Sequence, residues 1–149
     1  IMFTMCRYSY FSIFDQTSDL YLYDTLTKTY EPLPINTPFT ESYHTWSKSG
    51  RWFVFTSRSI DNCYSRPFFS YFDKNGKAHK AFVLPQKDPM FYRNFMKNYN
   101  IPELVSGKVA ISENEMRDFV RTKPTKVQFD SLVDIDALSG ATYIYRNMH

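Results

Sequence analysis

Cysteine is scarce in this 149-residue chain, with only Cys6 and Cys63 present, so a four-thiolate zinc site is excluded. Charge of one sign is also lacking: 18 Lys and Arg stand against 15 Asp and Glu, and no basic block occurs, which argues against nucleic acid as a partner. No apolar run approaches the ~20 residues that cross a bilayer, so no membrane span is expected in this segment, and the first residues carry no signal-peptide series. Glycine-rich phosphate loops, a Gly-x-Ser-x-Gly elbow and a His-Glu-x-x-His pair are all absent, which leaves no catalytic residue to nominate. What is abundant is aromatic surface. Fourteen Phe, twelve Tyr and two Trp make 19% of the chain, enough apolar area to exclude disorder.

Comparison of the chain with itself gives its organisation. Phe3-Thr4-Met5 ahead of Asp19-Leu20-Tyr21-Leu22-Tyr23-Asp24 is echoed by Phe55-Thr56-Ser57 ahead of Phe68-Phe69-Ser70-Tyr71-Phe72-Asp73. The offset is 52 residues from Phe3 to Phe55 and 49 from Asp24 to Asp73. Each copy continues into a turn, Leu26-Thr27-Lys28 or Asn75-Gly76-Lys77, and a closing strand at Tyr30 to Leu33 or Ala81 to Leu84. Trp52-Phe53-Val54-Phe55-Thr56 is a short apolar, β-branched run bounded by Gly50, and Asn75-Gly76 is a hairpin signal that supplies φ > 0. Residues 1–86 therefore read as two related units of about four short antiparallel strands, the first without its opening strand. A ~50-residue, four-stranded unit is the pattern of a propeller blade. The expected fold is mainly β, a partial β-propeller of about one and a half blades with a C-terminal α/β tail.

Residues 87–149 form that tail and are expected to pack on the blades. Asp88-Pro89 followed by Phe91, Tyr92, Phe95, Met96 and Tyr99 predicts an amphipathic helix of about ten residues. Ser112 with Glu115 is a capping box leading into Met116, Phe119 and Val120, stopped by Lys123-Pro124. Val127 to Leu132 is a candidate further strand.

The run His44-Thr45-Trp46-Ser47-Lys48-Ser49-Gly50-Arg51-Trp52-Phe53-Val54-Phe55-Thr56-Ser57-Arg58 resembles the TolB-like propeller repeat, whose signature is Trp-Ser-Pro-Asp-Gly before an apolar strand. Trp46, Ser47, Gly50, Phe55, Thr56 and Ser57 match; Lys48 and Ser49 depart from the Pro and Asp. The continuation through Arg66-Pro67, Tyr71-Phe72-Asp73 and Asp88-Pro89 looks like bacterial envelope proteins that end in such a propeller. The resemblance implies a non-catalytic binding or scaffolding module facing the periplasm, with a protein or glycan partner. It also implies a fragment, since one and a half blades close no ring. An accessory propeller of a periplasmic peptidase is an alternative from the same resemblance.

Two sets of site residues follow. Arg7, Tyr8 and Tyr10 lie after the second strand of the first unit, and Tyr64 and Arg66 lie in the same connection of the second. Both stretches combine Arg with aromatics outside the expected core, as partner-binding loops do. Near the C-terminus, Asp136, Ser139, Gly140, Ala141 and Thr142 resemble the flavinylation motif Asp-x-x-Ser-Gly-Ala-Thr. That resemblance implies FMN esterified to Thr142 and a role as an electron carrier; a Ser-Gly turn without chemistry is the other reading. Without FMN no cofactor is expected. His44 and His79 occupy non-equivalent places in their units and are read as ordinary imidazoles rather than metal ligands, and Cys6 and Cys63 as residues that need not meet.

Overall fold

The computed structural model describes residues 1–8 and 10–134. The protein is mainly β, built on two antiparallel sheets. Strands β1 (Met2–Met5), β2 (Asp19–Asp24) and β3 (Thr29–Pro32) form the first in that order; β4 (Glu41–Trp46), β5 (Trp52–Ser57), β6 (Arg66–Tyr71) and β7 (Phe82–Val83) form the second. Each sheet is a meander of neighbouring hairpins. The first has no counterpart of β4, as the sequence comparison anticipates. Helices are few among the described residues: α1 (Phe91–Asn94) and α2 (Glu113–Arg121). The chain divides into two compact units, Ile1–Lys108 and a second beginning at Val109. No helix among the described residues is long and apolar enough to cross a membrane.

Alternation explains the sheets. Leu20 and Leu22 of β2 and Phe53 and Phe55 of β5 turn to a shared core, with Met2, Leu33 and Ala78 buried beside them and Trp46, Phe68 and Phe72 packed at its margin. The opposite faces carry aromatic rows. Phe3, Tyr21 and Tyr30 meet at centroid separations of 5.8–6.2 Å on the first sheet, and Trp52, Tyr71, Phe69 and Phe82 at 5.2–6.2 Å on the second.

The turns show where local chemistry departs from expectation. At Asn75-Gly76 only Gly76 is left-handed (φ +79); Asn75 is not, so the two-residue hairpin turn with both residues at φ > 0 is replaced. Asp73 closes the turn instead: its carbonyl accepts from Gly76 N (3.2 Å) and its Oδ1 from Asn75 N (2.8 Å) and Lys77 N (3.0 Å). Asp24 does the same in the first sheet, Oδ1 accepting from Leu26 N at 2.8 Å, with Lys28 left-handed at φ +57. Gly50 (φ +63) closes the turn after Trp46, its N–H donating to Ser47 O at 2.9 Å.

One edge of the first sheet is held by a side chain. Ile1 and Tyr23 exchange both backbone hydrogen bonds at 2.7 Å, so by alternation Met2 and Thr4 turn their amide groups away from β2. The His44 imidazole of β4 hydrogen-bonds the Met2 backbone there, and burial lowers the His44 pKa.

The ten-residue helix expected after Asp88 is shorter. Asp88 is not the cap: the N-cap is Met90, without a side-chain cap bond, and Asp88 makes a turn ahead of it, its Oδ1 accepting from Met90 N at 2.8 Å. The helix α1 ends at Asn94 because Phe95 is extended (φ −88, ψ 94). The groups that would continue it are diverted. Tyr99 N donates to Ser65 O (3.0 Å), and Arg66 takes the Tyr92, Phe95 and Lys97 carbonyls. Phe91, Phe95 and Tyr99 still stack in sequence, at 4.8 and 5.4 Å, but along a folded-back segment rather than a helix face.

In the second unit α2 forms as its capping box predicts: Glu115 N donates to Ser112 Oγ, and Ser112 N to Glu115 Oε2 at 2.8 Å. The candidate strand at Val127–Leu132 is not a strand. Asp130 makes a turn there, its Oδ1 accepting from Leu132 N (2.9 Å) and its carbonyl from Val133 N (2.9 Å). The tail is therefore helix and coil as far as Asp134.

Candidate functional site

The connection after β1 is the most distinctive surface of the first unit. Tyr8 is 74% and Tyr10 88% exposed, and Phe11 and Phe14 are also exposed, so four large aromatic side chains leave the protein within seven residues. Other exposed rings, Tyr30, Trp52, Phe82, Phe119 and Phe129, are spread along the chain, whereas here four fall on one short connection.

The backbone is tied on either side of them, at Arg7 and Tyr8 and again from Ser12 to Asp15. Asp15 is the organiser: Oδ2 accepts from Tyr8 N (3.1 Å), while Oδ1 accepts from Thr17 N (2.8 Å) and Thr17 Oγ1 (2.7 Å). Thr17 Oγ1 in turn accepts from Arg7 N at 2.9 Å. These donors, the Thr17 hydroxyl foremost, hold the Asp15 carboxyl below the usual aspartate range. A 3-10 turn, Ser12–Phe14, carries buried Ile13 inward as an anchor. Ser12 Oγ meets Ser42 Oγ at 2.6 Å, and Thr40 Oγ1 donates to Asp15 O at 2.9 Å, which ties the loop to the entry of β4.

The corresponding connection of the second sheet, between β5 and β6, meets this loop through Arg58, whose guanidinium lies 5.0 Å from the Phe14 ring centroid. Of the expected loop residues, Arg7, Tyr8 and Tyr10 are exposed as anticipated. Tyr64 is half-buried, and Arg66 is not a loop residue at all. Arg66 opens β6, is 0% exposed, ion-pairs with Asp61 at 3.5 Å, and sits over the rings of Tyr64, Tyr92 and Phe95 at 4.9–5.6 Å. Its charge is spent inward, in holding residues 92–97 against the second sheet.

Beside the aromatic loop lies a cleft of about 520 Å³ bordered by Arg7, Gln16, Thr17, Asp19 and Tyr21. A second cleft of about 570 Å³ lies by Glu41, Phe55, Phe68 and Lys80. Glu41 is fully buried and consumed internally: Oε1 accepts from Thr37 Oγ1 (2.8 Å) and Ser57 Oγ (2.7 Å), Oε2 from Thr37 N (3.0 Å). Burial raises its pKa despite those donors. It fixes the turn into β4, a role that no sequence motif announced.

The remaining residues singled out from sequence fall elsewhere. Asp136, Ser139, Gly140, Ala141 and Thr142 lie outside the described residues. No disulfide joins Cys6 to Cys63; the Cys6 thiol is bonded to Asp15, and burial raises its pKa. His79 Nε2 lies 3.0 Å from Asp73 Oδ2 at the β6–β7 hairpin. Among the described residues no three His, Cys, Asp or Glu side chains converge as a metal set. No family model, no curated protein and no solved structure matches the chain.

Proposed function

We propose that this chain is a non-catalytic binding or scaffolding module of the bacterial envelope, its two sheets being neighbouring blades of a TolB-like β-propeller that recognises a protein or glycan partner. The observation that carries the reading is the exposure of Tyr8, Tyr10, Phe11 and Phe14 beside a backbone that Asp15 and Thr17 tie down at Arg7 and Tyr8. Rigid aromatic anchors lose little conformational freedom on binding, which is why recognition concentrates on them. The meander order of both sheets, and the match of Trp46, Ser47 and Gly50 to the repeat signature, support the propeller form.

The test replaces Tyr8, Tyr10 and Phe11 together by Ala and compares cross-linked partners captured from an envelope fraction. Capture is expected to fall at least tenfold with the melting transition unchanged; full capture by the variant overturns the reading.

A second reading rests on the Asp136-Ala137-Leu138-Ser139-Gly140-Ala141-Thr142 motif, which supports covalent FMN on Thr142 and a role in extracytoplasmic electron transfer. Co-expression with a flavin transferase should then add the mass of an FMN ester to the intact protein. Thr142→Ala should abolish that gain.

A further inference from the structure

The cleft beside the aromatic loop has a composition that sheet packing does not account for. It opens on the face of β1 and β2 that is turned away from the core, where Asp19 pairs with Met5 in register and Tyr21 with Phe3. The Tyr21 ring is fixed from two sides, near-parallel to Phe3 at 5.8 Å and edge-on to Tyr30 at 6.0 Å. It is thus a set aromatic platform rather than a mobile side chain.

Two charged groups border the same space without using one another. Arg7 and Asp19 form no ion pair, the Arg7 guanidinium makes no hydrogen bond, and the Asp19 carboxylate accepts none, among the described residues. Asp19 is nevertheless partly withdrawn from water, and burial alone raises its pKa. A carboxylate in that state gains from any hydroxyl that reaches it, whereas covering this end of the face with an apolar partner would bury it unpaired. The cleft therefore asks for a ligand that is flat and apolar on one side, rich in donors and acceptors at its edge, and without net charge.

We propose that the cleft of Arg7, Gln16, Thr17, Asp19 and Tyr21 binds a neutral pyranose unit of a glycan, the C–H face of the sugar lying on Tyr21 and its hydroxyls bridging the Asp19 carboxylate and the Arg7 guanidinium. This rests on the binding-module reading and narrows its partner to a glycan. The volume, about 520 Å³, lies within the ~300–1,000 Å³ of small-ligand sites. Arg7 also continues into the aromatic loop, so further sugar units would extend over Tyr8 and Tyr10. A neutral ligand makes binding insensitive to salt, in contrast to a zwitterion held by the same two charges.

The experiment is a backbone-amide NMR titration of the full chain with maltose, cellobiose and N,N′-diacetylchitobiose, with free amino acids as controls. At least one disaccharide should move the Arg7, Thr17 and Asp19 amides with a Kd on the order of 1 mM, unchanged between low and high salt. Asp19→Asn and Arg7→Gln should each weaken it at least tenfold while leaving the melting transition in place; having two variants on different elements keeps the test valid if one of them fails to fold. Absence of shifts with all three sugars, or a response confined to amino acids and lost in salt, overturns the proposal. In that event the aromatic loop is judged separately: if the Tyr8, Tyr10 and Phe11 variant still loses its envelope partner, the binding-module reading stands and only the glycan assignment falls.

Discussion

Arg58 stands over the ring of Phe14, 5.0 Å from its centroid, and by this contact the connection after β5 braces the connection after β1. The two loops belong to different sheets, and the contact makes them one surface. Arg58→Ala removes a cation–π interaction worth about 0.5–1 kcal/mol at such sites. Global stability should fall by no more than that. Amide exchange across residues 10–15 should quicken severalfold, because Phe14 loses its lid. Unchanged exchange there would mean that the loop is held by Asp15 alone.

Asp15 gives the loop a pH dependence with a definite sign. Its carboxyl is held below the ordinary aspartate value by Thr17 and Tyr8 donors, so the ordering it contributes is present above about pH 4. It is lost as pH falls through the depressed value. Exchange of the Tyr8 and Thr17 amides should therefore rise at acid pH in the wild type. Asp15→Ala should show the raised rate at every pH.

Glu41 titrates in the opposite sense. Burial raises its pKa above that of the unfolded chain, so its native state takes up a proton before the unfolded state does. The ionised form opposes folding in the window above the ordinary glutamate value, and this contribution to stability improves as pH is lowered into that window. Glu41→Gln should flatten the dependence. It should also lower stability near neutral pH by about 1–2 kcal/mol, since one amide oxygen replaces two acceptors for Thr37 and Ser57. Urea melts of both proteins between pH 4.5 and 7.5 check both statements.

Arg66 predicts a local release. Arg66→Met keeps much of the side-chain volume but abandons the Tyr92, Phe95 and Lys97 carbonyls and the Asp61 carboxylate. The cost should be about 3 kcal/mol. Hydrogen exchange should locate it at residues 90–99 rather than in the β4–β6 ladder. If exchange instead rose uniformly across both sheets, Arg66 would be holding the whole unit and not one strap.

How far the chain could be read beforehand follows from the range of the forces involved. The strands were legible because apolar alternation and turn residues act over a few positions: Trp52 to Ser57, Gly50 and the Ser112–Glu115 box all fell where local rules place them. The helix after Asp88 was not. Its periodicity is real, but the donors and acceptors that would extend it are claimed by Ser65 and Arg66, some thirty residues away, and no local pattern reveals that. Arg66 itself was misplaced for the same reason: an Arg beside aromatics looks the same in sequence whether it faces outward or anchors a returning segment. Asp15 reads in sequence as a turn residue, which it is, but the reach of its network depends on Tyr8 and Arg7 folding back onto Asp15-x-Thr17, and no local rule shows that. Glu41 was silent because its partners, Thr37 and Ser57, are joined only by the pairing of β4 with β5.

The contact of His44 with Met2 means that the outer rim of the first sheet is guarded by one imidazole where the second sheet has an entire strand. A guard of that size can be removed by a single change. With Ala in its place, the Met2 backbone would lose that partner and be offered to any extended polypeptide that drifts past, an identical molecule included, and association should rise with concentration relative to the wild type. A single imidazole thus stands between this strand edge and an added strand.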